Sequence, residues 1–108
     1  MAFAENIKHL PRVSHLGALE LLDKDGQVVA TIENKPGQTG SLVVYNHLGQ
    51  TFGAITAEAA RKGLEIYAEH SDDARANPGK HPNIDRLLQL AADGGQFRVK
   101  HIFATATE

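Results

Sequence analysis

Two stretches hold most of the side chains that would do chemistry. The first is Asn34-Lys35-Pro36-Gly37-Gln38-Thr39-Gly40-Ser41, and the second is Asn77-Pro78-Gly79-Lys80-His81-Pro82-Asn83. Each carries an asparagine, a Pro-Gly pair and a lysine, and each runs into an apolar helical pattern. A glycine-bearing loop that opens a helix turns backbone N–H groups outward, where they meet an anion. If the fold brings the two loops together, Lys35, Gly37, Gly40, Ser41, Lys80, His81 and Asn83 form a site for a phosphate or carboxylate group. The plainer reading of the first loop is a type II turn followed by an ordinary helix cap at Ser41. The spacing is not that of a triphosphate-binding loop, because the lysine precedes the glycines and Ser41 has no lysine before it.

The same stretches offer an enzyme as the alternative. His70 has Asp72 and Asp73 close by, and His81 has Asp85 four residues on, so either histidine has a carboxylate to orient it as a general base. Ser41 is a nucleophile candidate, though without the Gly-x-Ser-x-Gly elbow. The chain has six histidines and no cysteine. A zinc site from His47, His70 and His81 lacks any recognised ligand spacing, so no metal is expected. No catalytic residue and no cofactor can be assigned from these patterns alone.

Composition narrows the partners. The chain has 11 basic and 13 acidic residues, a net charge of −2, and so no basic excess for a nucleic acid. No apolar run approaches a membrane span, and the N-terminus has no basic region followed by a long apolar one. A cytoplasmic protein of one domain, residues 1–108, is expected.

These side chains need elements to hold them. Residues 3–10 read as a short helix that Pro11 ends. Residues 17–33 alternate apolar and polar around Asp23-Lys24-Asp25-Gly26, a hairpin. Asp23 and Asp25 read as turn residues rather than metal ligands. Ser41 to Gly53 reads as a helix, Thr56 caps a second, and Ile84, Leu87, Leu88 and Ala91 mark a third that Gly94-Gly95 stops. Gly63 inside the second helix implies a close neighbour, and His70 is placed near that helix's C-terminal end. Residues 96–104 read as a returning strand, with His101 on its apolar face as a hydrogen-bonded core residue, and the tail from Thr105 is expected to fray. The whole is an α+β fold: a β-hairpin, three helices and a returning C-terminal strand, in a small, mainly antiparallel sheet covered on one face by helices. Leu21, Val28, Ile32, Leu48, Phe52, Leu64, Leu87, Leu88, Val99 and Phe103 are the expected core.

The run from Asn34 to Ser41, together with Asn77-Pro78-Gly79-Lys80-His81-Pro82-Asn83-Ile84-Asp85-Arg86-Leu87-Leu88, resembles a small bacterial family of unknown function (DUF2322-like), over nearly the whole chain. The resemblance implies a bacterial, cytoplasmic protein and carries no activity or catalytic residues. Three readings follow: a module binding a small anionic ligand, a small hydrolase or transferase built on the His/Asp residues of 70–85, and an interaction module or homodimer using a sheet edge.

Overall fold

In the computed structural model, which describes residues 2–105, the chain forms five helices and four strands. The expected frayed tail lies largely outside the described residues. The N-terminal helix α1 (Phe3–Lys8) precedes a hairpin of β1 (Leu16–Leu22) and β2 (Val28–Glu33). Asp23 Oδ1 accepts from the N–H groups of Asp25 and Gln27, and Gly26 sits at φ +82°. Both acids therefore belong to the turn.

After the hairpin come α2 (Thr39–Phe52), β3 (Ile55–Thr56), α3 (Ala57–Tyr67), α4 (Glu69–Ala76), α5 (Pro82–Asp93) and β4 (Gln96–Phe103). The sheet order is β2-β1-β4-β3, antiparallel throughout. The last strand thus lies inside the sheet, with its first two residues paired to β3. One outer edge is β2, where Val28 and Val29 are exposed.

Helices cover one face. Leu19, Leu21 and Ile32 are fully buried, and α2 lies on the sheet with Leu42, Val44, Tyr45 and Leu48 inward. Thr56 Oγ1 caps α3 by accepting from Ala59 N–H. At Gly63 a Cβ would stand 2.8 Å from Leu87 Cδ1 and 2.9 Å from Leu48 Cδ1. This is the point where α2 and α5 close on α3. His101 Nε2 donates to the buried Asn46 Oδ1 at 2.9 Å, tying β4 to α2.

The structure corrects several expectations. Val28 is 50% exposed and Phe103 is 69% exposed, so neither belongs to the core. The register shifts between Leu21 and Leu22, leaving Val29 as an extra residue and pairing Val28 with Leu22 on the outer face. A bulge of one residue reverses the alternation counted from the sequence. Phe103 lies opposite a second bulge, at Gly17, beside the ring of His15. The helix expected to open at Ser41 begins at Thr39, because Gln38 and Thr39 N–H already wind onto the Lys35 carbonyl.

The second expected helix breaks at Ala68, which adopts φ +53°, the one non-glycine residue with positive φ among those described. Ser71 Oγ donates to the Leu64 carbonyl at 2.6 Å, sharing that acceptor with the Ala68 N–H at 3.3 Å. His70 is consequently the second residue of α4, at a helix start and not at a helix end.

Candidate functional site

Four segments converge at one end of the helical layer. They are the first turn of α2, the α3–α4 junction, the loop before α5, and Phe3 of α1. Between them is a cavity of about 400 Å³, lined among others by Gly37, Gly40, Ser41, Tyr67, His70 and His81. That volume falls in the range of small-molecule sites.

Each wall has a local cause. Pro36-Gly37 makes a type II turn with Gly37 at φ +89°, and Gln38 N–H closes it on the Lys35 carbonyl at 2.9 Å. The chain enters α2 directly, so Gly40 and Ser41 occupy its first turn. Their backbone N–H groups have no protein acceptor among the described residues. Gly40 also admits the ring of Phe3, whose Cζ would stand 3.0 Å from a Cβ there. Phe3 stacks on Tyr67 at 5.3 Å and 7°, and its N–H donates to Glu69 Oε1 at 2.9 Å. That bond lowers the Glu69 carboxyl pKa. Asn6 Nδ2 donates to the Ile66 carbonyl and holds the rest of α1 in place.

The positive φ at Ala68 redirects the chain so that α4 presents His70 and Asp73 to this end. The second loop closes in the same way as the first: Gly79 is at φ +93° and Lys80 N–H donates to the Asn77 carbonyl at 3.1 Å. Helix α5 then opens with His81 as N-cap and Pro82 at the first helical position, where a missing N–H costs nothing.

The polar contacts follow from this geometry. His81 Nε2 lies 2.6 Å from Asp73 Oδ2, and Lys80 Nζ lies 3.0 Å from the same oxygen. The hydrogen bond from His81, then the bond and charge of Lys80, hold the Asp73 carboxyl at about 2 instead of 3.8. The His70 ring is 6.0 Å from that of His81. Tyr67 O–H donates to Ser41 Oγ at 2.6 Å, and burial raises the Tyr67 pKa. Ser41 is left as a hydrogen-bond donor with one lone pair engaged, which weakens it as a nucleophile. Just behind, Tyr45 O–H donates to the Asn83 carbonyl, and Arg86 reaches both Tyr45 Oη and Asn83 Oδ1. Burial there pushes the Tyr45 hydroxyl up to about 12.

The two loops therefore meet. Of the residues singled out from sequence, Gly37, Gly40, Ser41, Lys80, His81 and Asn83 line the cavity. Lys35 does not; it turns to Glu33 at 3.1 Å. The carboxylate partners also differ from expectation. Asp85 accepts from Gly79 N–H at 2.9 Å, and Asp72 pairs with Arg75 at 3.3 Å, so His81 takes Asp73. Phe3 and Tyr67 also line the cavity and were not singled out from the sequence, because each follows the apolar stripe of an ordinary helix. Among the described residues, no three His, Asp or Glu side chains gather as a metal site.

Fold and cavity together define a small α+β domain whose polar side chains collect at one helical end. The chain belongs to the family described as "Uncharacterized protein conserved in bacteria (DUF2322)", whose model matches residues 3–101 and so spans every residue lining the cavity. No curated protein and no solved structure matches the chain. No helix among the described residues is long and apolar enough to cross a membrane.

Proposed function

We propose that this domain binds a small phosphate- or carboxylate-bearing ligand in the cavity between its two Pro-Gly loops, in the bacterial cytoplasm. The observation that carries this reading is the convergence of Gly37, Gly40, Ser41, Lys80, His81 and Asn83 on one cavity. The free N–H groups of Gly40 and Ser41 supply donors at the positive end of the α2 dipole. Lys80 adds a charge, and the Ser41 hydroxyl and the His70 imidazole add further donors. One carboxylate, Asp73, opposes them, and His81, Lys80 and Asn77 already engage it. The aromatic walls, Phe3 and Tyr67, suit an apolar body attached to the anionic group.

The test is a thermal melt in inorganic phosphate against chloride at equal ionic strength. A ligand that binds only the folded state adds about 2.7 kcal/mol at one hundred times its Kd. Stabilisation by phosphate that Lys80→Ala removes supports the site. Equal melting in the two salts removes the phosphate reading.

A further inference from the structure

His81 is arranged for more than binding. Asp73 is a carboxylate at neutral pH, because its neighbours hold its pKa at about 2. A carboxylate only accepts hydrogen bonds, so the short contact to His81 requires the proton on Nε2. In the neutral ring the lone pair then sits on Nδ1. Nδ1 has no hydrogen-bond partner among the described residues, and His81 lines the cavity. His70 shares the cavity but has no carboxylate bonded to either ring nitrogen, so nothing fixes its tautomer.

We propose that His81 is a phosphoryl acceptor, its Nδ1 taking the phosphoryl group of a reactive donor of the acyl phosphate or phosphoramidate class. The proposal rests on the anion reading of the same cavity. In the step, the Nδ1 lone pair forms the N–P bond. The bond from phosphorus to the donor's leaving oxygen or nitrogen breaks, and its electron pair departs with that atom. An acyl phosphate releases a carboxylate; a phosphoramidate releases an amine that takes a proton from water. No oxidation or reduction is involved. The Nε2 proton stays in the bond to Asp73, whose charge offsets the positive charge arising on the ring. Lys80 and the N–H groups of the α2 first turn are the donors for the phosphoryl oxygens. Asp73 is a positioning residue: it acts on the reaction only through the ring.

The chain contains its own controls, since His9, His15, His47, His70 and His101 compete for the same reagent. The experiment is labelling of the full chain with phosphoramidate at neutral pH, read by peptide mass under alkaline conditions and by phosphorus NMR. His81 is expected to label roughly tenfold faster than the exposed His9 and His15, as a positioned nucleophile should. The adduct should be the Nδ1 isomer. Asp73→Asn is expected to erase the preference and shift part of the label to Nε2, an isomer change that a structural role alone would not produce. If that variant melts low, the isomer ratio on the parent His81 decides. Label spread evenly over the histidines, or an Nε2 adduct on the parent, overturns the proposal. Stabilisation by phosphate without preference at His81 overturns the acceptor role and leaves the binding site standing. Loss of both overturns the two readings together.

Discussion

The two Pro-Gly loops share a turn and differ on either side of it. In both, a glycine near φ +90° follows a proline, and the N–H of the next residue closes the turn. Asn34 faces inward: its Nδ2 donates to the carbonyls of Val13 and Leu16, and its Oδ1 accepts from Thr39 Oγ1. Asn77 stays at the surface and reaches Asp73. Lys35 is drawn outward by Glu33, whereas Lys80 is drawn to Asp73. The local sequence therefore codes the turn, while the preceding element decides what the turn holds. A strand ending in Glu33 makes the first loop a structural tie. A helix carrying Asp73 makes the second a polar wall of the cavity.

Breaking each loop separately sharpens that contrast. The largest effect is expected for Asn34→Ala, which removes three part-buried hydrogen bonds and should cost about 2 to 3 kcal/mol in chemical denaturation. Asn77→Ala should cost less than about 1 kcal/mol, because water replaces its exposed bonds. Equal losses would remove the distinction. Next come Gly37→Ala and Gly79→Ala, which should cost about 1 to 2 kcal/mol each, since a Cβ is strained at that φ in either loop. Neither position has an atom within 4 Å of the added Cβ, so the two penalties should match.

A smaller effect separates the lysines. Lys80→Ala should weaken phosphate binding roughly tenfold, about 1.4 kcal/mol, by calorimetry. Lys35→Ala should leave affinity unchanged and, as half of an exposed pair, should alter stability by less than about 1 kcal/mol. The smallest signal is the pH dependence of Asp73. Its carboxyl is lowered from 3.8 to about 2, so the unfolded chain takes up the proton first. The pair's contribution is present above 3.8 and is lost as pH falls through 2. The melting difference between the parent and Asp73→Asn should hold constant near neutrality and narrow across that window. A constant difference down to the acid end would show that the pairing is absent in solution.

What could be read from the sequence was encoded over a few neighbouring residues. The Asp-Gly hairpin, the two Pro-Gly turns and the Thr56 cap each depend on chain-local geometry, and Gly63 was legible because a glycine inside a helical pattern signals a close neighbour whatever that neighbour is. What could not be read was imposed from a distance. Alanine is the strongest helix former, so nothing in the string around Ala68 marks a break. The break coincides with a bond from the Ser71 hydroxyl to the Leu64 carbonyl, seven residues back. The partner of His81 was sought four residues on, at Asp85, but the start of α5 turns Asp85 back onto Gly79. Asp73 lies eight residues earlier, across a turn, a separation no helical or strand period picks out. β3 has only two residues, too few for any alternation, and the two bulges shifted the phase of the strands around them.

The sheet order carries a consequence for how the molecule is made. β1 is an interior strand only because β4, which follows the other described elements along the chain, lies beside it. On the ribosome, the hairpin and every helix emerge before the strand that completes the sheet. Until then, the far edge of β1 exposes unpaired backbone next to Leu19 and Leu21. Pairing Leu19 with His101 closes a loop of most of the chain, so completion of the sheet should be the slow step of folding. A chain halted before Gln96 would hold a nascent cavity beside an open, apolar strand edge. That form would be the natural client of a chaperone and the natural seed of an aggregate.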